Sequence, residues 1–266
     1  MLVFPQLSSG ASVQYPAKVA RRERTVLNVT LDDRAIALYD LNAAQIRWDL
    51  AFQNLSDNEA NTLLTFFQSC EGPLQPFLFC DPTSNLMSFS EDSSQSVWQG
   101  SALLSLNPGQ PDPFGTNRAT LVTNTSSAPL TLTQTVAVPG TLTCAFSVYL
   151  QGLQMSGVQL IRTDGTTSAA QSVSPSPGWV RAYLQSTFAA SQSASCDFSL
   201  VMPPGASLTV FGFQLDAQPM PGTYVGSTLQ SGVYPACRFD SDSVTVTATA
   251  PGQNNVHLAI LSKANS

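Results

Sequence analysis

Lysine and histidine are almost missing from this chain: Lys18 and Lys263 are its lysines and His257 its histidine, among 266 residues. Lys and Arg together number 11 against 17 Asp and Glu, a net charge of −6. No basic surface of the kind that displaces counterions from phosphates can be built from that set, which excludes nucleic acid as a partner. A Ser-His-Asp or Cys-His nucleophile needs a histidine to take the proton, and His257 is the one this chain offers. His257 falls in the apolar run Val256-His-Leu-Ala-Ile-Leu261 and is expected to be structural or surface-exposed. No stretch approaches the ~20 apolar residues of a membrane span. Met1-Leu-Val-Phe-Pro5 lacks the basic start and apolar core of a secretory signal. The expectation is a soluble chain made in a cytoplasm, with no membrane insertion.

The five cysteines, Cys70, Cys80, Cys144, Cys196 and Cys237, are odd in number and contain no Cys-x-x-Cys pair. They suggest neither a zinc site nor a disulfide framework, and free, buried thiols are expected. P-loop and GxGxxG signatures are absent too, so no cofactor is expected. Glu91 and Asp92 are adjacent and would point to opposite faces of an extended segment, not toward each other as a glycosidase pair does. Asp240 and Asp242 are two apart and could aim two carboxylates the same way, but the further oxygen ligands that calcium needs are not evident. Catalytic residues and metal ligands are both read as none.

Charge is unevenly spread. Residues 1–84 hold 6 basic and 9 acidic side chains, residues 233–266 hold 2 and 2, and the 148 residues from 85 to 232 hold 3 and 6. A stretch so poor in ions must stay soluble through hydroxyls and amides, and it interrupts a more charged domain. Two domains are expected: a discontinuous one, 1–84 plus 233–266, and an inserted one, 85–232.

The first opens with an irregular arm to about Arg24, after which Thr25–Leu31 and Ala35–Tyr39 read as a hairpin around Asp32-Asp33. Alternation places Ile46, Trp48, Leu50 and Phe52 on one face of a third strand. Ser56-Asp-Asn-Glu59 is a capping box opening a helix that Gly72-Pro73 stops, and Gln75–Phe79 is a short strand. Arg238–Ala248 and Val256–Leu261 read as two strands that complete the amino-terminal sheet, since a pair alone is unstable in water. Cys80 and Cys237 should then be neighbours on adjacent strands. Between the halves, about ten candidate strands, among them Thr141–Leu150, Val158–Thr163, Trp179–Thr187 and Ser207–Leu215, are separated by Pro, Gly, Asn and Ser without a convincing helix. The fold class is mainly β: an α+β first domain with one capped helix, and an all-β jelly-roll sandwich.

Trp48-Asp-Leu, Leu55-Ser-Asp-Asn-Glu59, Phe66-Phe67, Glu71-Gly72 and Phe77-Leu-Phe-Cys-Asp-Pro82, closed by Arg238-Phe-Asp240, resemble distal tail proteins of long-tailed bacteriophages and of gene transfer agents. The resemblance implies a ring, commonly a hexamer, between tail-tube and baseplate-hub proteins, carried on the virion tail tip and assembled in the bacterial host cytoplasm. Asn85–Asp92, Trp98, Phe146-Ser-Val-Tyr149, Gly178-Trp-Val-Arg181 and Val210–Leu215 leading to Gly222-Thr-Tyr224 are similar to the galactose-binding-like jelly rolls of phage tail and fibre proteins. That implies an inserted module for host-surface glycan adhesion or decoration.

Trp179, Arg181 and Tyr183 alternate on one expected strand and share a face. Aromatic rings stack on the C–H faces of sugars while Arg satisfies hydroxyls, making these three the candidate glycan contacts. The other reading packs Trp179 and Tyr183 in the sandwich core, with Val180 and Leu184 outside. Trp98 is expected in the core, sealing one edge. Arg21, Arg22 and Arg24 are the candidate assembly surface, pairing with acidic residues of a neighbouring subunit; otherwise they form an exposed, solubilising arm. The whole reads as a structural tail-tip protein, with a free-standing lectin and a glycan-processing enzyme as the alternatives.

Overall fold

The computed structural model describes residues 1–40 and 43–264. The protein is mainly β, with one α-helix among the described residues. It divides into two compact units: residues 1–8, 12–79 and 234–266 form one, and residues 9–11 and 80–233 the other.

The split unit contains β1 (Leu2–Val3), β2 (Lys18–Arg22), β3 (Thr25–Val29), β4 (Ala35–Tyr39), β5 (Gln45–Leu55), α1 (Asp57–Ser69) and β6 (Phe77–Cys80). The inserted unit contains β7 (Trp98–Gly100), β8 (Leu104–Gln110), β9 (Ala119–Asn124), β10 (Leu130–Val136), β11 (Cys144–Gln151) and β12 (Val158–Thr163). It continues with β13 (Ser168–Val173), β14 (Val180–Ser186), β15 (Cys196–Met202) and β16 (Ser207–Asp216). The chain then returns to the split unit with β17 (Val233–Phe239), β18 (Thr245–Ala250) and β19 (Gln253–Lys263).

One sheet runs β1-β6-β17-β19-β5-β2, with β18 paired to β19 off this path. The carboxy-terminal strands β17 and β19 thus lie between two pairs of amino-terminal strands. The expected face of β5 is the buried one: Trp48, Leu50 and Phe52 are enclosed, while Gln45 is exposed. Trp48 packs edge-on against Phe79 (5.2 Å) and Tyr234 (4.7 Å). Helix α1 supplies Leu63 to the same core, and its Phe66 lies 5.2 Å from Phe77. The capping box forms as expected, Ser56 Oγ accepting from the Glu59 N–H while Glu59 accepts from the Ser56 N–H. Glu59 also takes the N–H and hydroxyl of Ser8, and the Ser8 and Ser56 hydroxyls hold its carboxyl down at about 2.

The irregular arm expected before Arg24 is corrected. Leu2–Val3 pairs in parallel with β6, and Lys18–Arg22 is an edge strand pairing with β5. Its residues are all exposed, so neither face carries the alternation that marks a strand in sequence. Cys80 and Cys237 stand on neighbouring strands, β6 and β17, and all five cysteines are buried.

The inserted unit is a sandwich of two five-stranded antiparallel sheets, β13-β12-β15-β10-β7 and β14-β11-β16-β9-β8. The inner faces meet through Phe146 and Phe198, whose rings are 5.5 Å apart. Trp98 is in the core as expected, 4.4 Å from Phe213, with its indole N–H donating to the Phe89 carbonyl. Asn85 ties the segment before β7 to β16, donating to the Phe213 carbonyl and accepting from the Leu215 N–H.

Arg162, on β12, is completely buried. Its guanidinium donates to the carbonyls of Leu142, Ser186, Pro139 and Gly140 at 2.7–3.0 Å and lies over the rings of Phe188 and Phe198. Four carbonyls at one end of the sandwich thus share one cation. Arg162→Ala takes a donor from all four, leaving Gly140 and Pro139 only the N–H groups of Phe188 and Leu142, and is expected to destabilise the sandwich by roughly 3–5 kcal/mol. Urea unfolding followed by intrinsic fluorescence measures the loss.

Candidate functional site

The outer face of the sheet β14-β11-β16 carries a set of side chains aligned by register. Arg181, Tyr149 and Phe211 stand opposite one another across the three strands; Tyr183, Ser147 and Gln214 form the next row, and Ala145 opposite Asp216 lies beyond. This alignment depends on a bulge in β16. Register passes from Ser147 opposite Gln214 to Tyr149 opposite Phe211, leaving Gly212 and Phe213 against Val148 alone. The extra residue lets Phe213 point inward to Trp98 while Phe211 joins the outer face. Gly212 has φ +65°, and a Cβ there would lie 2.7 Å from the Tyr224 ring, so only glycine permits both the bulge and the seating of Tyr224.

Around Phe211 the rings gather. Tyr224 is 5.2 Å away, Tyr149 6.2 Å and Phe114 5.8 Å, and Phe114 remains 55 % exposed. Arginines frame the group: Arg118 lies over Phe211 (5.1 Å) and Arg181 over Tyr149 (5.2 Å). Phe114 and Arg118 are held out by a loop organised on Asp112, whose carboxylate accepts from the N–H groups of Phe114, Thr116 and Arg118 and from the Thr116 hydroxyl. Burial pushes the Asp112 carboxyl up, but those donors outweigh it and hold it at about 2. Glu91 accepts from Arg118 (2.8 Å) and from the Tyr224 hydroxyl (3.0 Å).

Arg181 links this cluster to the sheet edge. Its guanidinium donates to the Gly222 carbonyl (2.6 Å) and to Ser147 Oγ (3.1 Å). Beside it, between β13 and β14, runs a groove of about 550 Å³ lined by Gln171, Ser172, Arg181, Tyr183 and Gln185, among others. Its size suits a small ligand, and the lining mixes amides, hydroxyls, a phenol and a guanidinium with the apolar Val173, Val180 and Ala182.

The three expected glycan contacts are placed differently. Arg181 and Tyr183 are together in the groove, with Tyr183 42 % exposed. Trp179 lies one residue before β14, half-buried, and is not part of the lining. The core alternative for Tyr183 is corrected: Leu184 turns inward and is buried, while Tyr183 turns out. Phe114, Arg118, Tyr149, Asp216 and Tyr224 were not singled out as site residues, because loops and a bulge bring them in; the only sequence hint is that Tyr149 and Gly222-Thr-Tyr224 stand among the jelly-roll motifs.

The other expected groups lie elsewhere. Arg21 and Arg22 are on the exposed edge strand β2; Arg21 contacts Glu23 at 2.5 Å, and Arg24 faces Asp40 at 3.8 Å. His257 is exposed on β19. Asp240 is taken by Arg47 at 2.8 Å, and no cluster able to hold a metal ion occurs among the described residues.

Asp216, buried beside Gly222, is the unusual carboxylate here. Burial pushes it up to about 6, against the pull of the Gln214 amide that donates to both its oxygens, of Arg181, and of the Gly222 N–H. A folded value above the ordinary ~4 means that its contribution to stability is fully present below about pH 4 and lost as pH rises through 6. Asp216→Asn, neutral throughout, is expected to match the parent near pH 4 and to exceed it above about pH 7, by roughly 2–3 kcal/mol at most. Thermal unfolding at the two pH values checks the sign.

No family model matches the chain, and no curated protein matches it. Among solved structures, similarity is found to TmCBM61 in complex with β-1,4-galactotriose (14 % identity, 49 % of this chain and 97 % of that one, TM-score 0.40). It is also found to the C-terminal family 22 carbohydrate-binding module of Clostridium thermocellum Xyn10B (17 %, 54 % and 100 %, TM-score 0.40). A third is the enzymatically active domain of bacteriophage CBA120 tailspike protein 4 (12 %, 51 % and 22 %, TM-score 0.40). Likenesses at this level do not by themselves assign a ligand.

Proposed function

We propose that this chain is a structural tail-tip protein of a phage or phage-like particle: the split unit forms a ring between tail-tube and hub proteins, and the inserted sandwich binds a host-surface glycan. The observation that carries the binding half is the exposed Tyr183 ring beside Arg181 in the groove, next to Tyr149 and the exposed Phe114. Flat rings, amides and hydroxyls on one rigid sheet face are the groups with which proteins hold sugars, rings on C–H faces and polar groups on hydroxyls. The engagement of the carboxylates supports binding over turnover: Glu91 is held by Arg118 and Tyr224, Asp112 by its own loop, and Asp216 by Gln214. Ring copies would multiply a weak site by avidity, by ~10²–10⁴ where several glycans are engaged at once. The ring half is supported by the motifs of residues 1–84 and 233–266.

A free-standing lectin is supported by the same groove, and a glycan-processing enzyme is the remaining alternative. Calorimetric titration with a panel of neutral and acidic oligosaccharides tests binding. Tyr183→Ala and Tyr149→Ala are each expected to weaken the best ligand about tenfold or more, and unchanged affinity in both places the site elsewhere. Loss of substrate over time identifies turnover. Co-sedimentation with phage tail-tube and hub proteins separates the tail-tip reading from the lectin, for which the chain stays unbound.

A further inference from the structure

Two segments of the split unit are left open in complementary ways. Among the described residues, β3 and β4 pair only with each other, in the register Val26 opposite Leu38 and Leu27 opposite Ala37. That register puts Val26, Ile36 and Leu38 on one face of the ribbon and Leu27 and Val29 on the other, and all five are exposed, Leu27 at 65 % and Val29 at 64 %. A two-stranded ribbon is at best marginally stable in water. One that is apolar on both faces gains from burial only if something outside it supplies the cover.

The second segment is β18. It pairs with β19 on one side, all six of its residues are exposed, and its sequence Thr-Val-Thr-Ala-Thr-Ala contains no charge and no proline. Proteins normally guard a free edge with lysine, other charges or proline, because unpaired N–H and C=O groups recruit strands. The contrast lies in the same sheet. Edge strand β2 carries Lys18, Arg21 and Arg22 and is guarded by charge, whereas β18 has only a register irregularity near its end, between Ala248 and Ala250. The open edge of six residues also matches the five-residue strands of the hairpin.

We infer that the hairpin 25–39 of one copy docks as an arm on the open edge of β18 in a second copy, continuing the sheet from chain to chain. The occupant is another copy because arm and edge belong to one chain, agree in length, and are both uncharged along the paired strands. Arm and edge are different patches, so the contact is head-to-tail, the kind that closes a ring or grows a filament. This inference rests on the ring half of the proposed function and names the contact that builds it.

The test uses the full chain in two variants: L27D with L38D on the arm, and V246K with A248K on the edge. All four positions are exposed, so circular dichroism and thermal melting should match the parent. Sedimentation velocity over a concentration series is run alone and with tail-tube and hub proteins, and the variants are compared in whichever setting the parent assembles. Each variant is expected to weaken association about tenfold or more, since a buried charge opposes the new contact. A37C chains mixed with A248C chains should be joined by a short bis-maleimide at twice the monomer mass, and neither alone should be; the natural cysteines are buried. Assembly undiminished in both variants, with no mixed cross-link, overturns this contact and leaves the ring standing. A parent that stays monomeric in both settings overturns the contact and the ring together.

Discussion

The antiparallel pairing of β19 with β5 is the interaction on which the split unit depends. It runs from Asn254 opposite Leu55 to Lys263 opposite Gln45, joining the last strand of the chain to one from its first fifth. Trp48, Leu50 and Phe52 on one side of this pair, with Val256, Leu258 and Ile260 on the other, make most of the floor against which α1 and the aromatic residues of β6 and β17 pack. Loop-closure entropy rises only slowly with length, so a long insertion between β6 and β17 is tolerated once this pairing is made.

In the inserted unit the comparable constraint is the β16 bulge. A strand alternates its side chains between faces, so Phe211 and Phe213 would both face the core in a regular ladder. The extra residue at Gly212 divides them, one to the core and one to the outer face. Phe114, Tyr149 and Tyr224 can then assemble around Phe211, and Arg181 can reach both Ser147 and the Gly222 carbonyl. Much of this face is polar and buried, as Ser147, Gln214 and Asp216 show. Its order therefore rests on satisfied hydrogen bonds as much as on packing, which suits a surface that must stay rigid without being dry.

Local signals were read well where the physics is local. The capping box at Ser56, the alternation of β5 and the hairpin around Asp32-Asp33 each follow from a few adjacent residues, and each is present. Strand β12 begins and ends where its turn residues place it. β2 was missed because an edge strand exposed on both faces has no hydrophobic period, and β1 because two residues are too few to carry one. The face of Tyr183 stayed open for a different reason: Val180 and Leu184, which flank it in parity, are both apolar, and alternation could not choose between them and the aromatic set.

By itself, then, the sequence determined the mainly β class, the capped helix, and the placing of a charge-poor stretch between two parts of a charged one. Those are consequences of composition and of contacts a few residues apart. Only the tertiary structure decided that Tyr183 faces out and Leu184 in, that Phe114 and Tyr224 join Tyr149 across loops, and that β18 keeps a free edge while β2 pairs with β5. Each of these depends on register between strands distant in sequence, which a one-residue bulge can reverse and which no local pattern encodes.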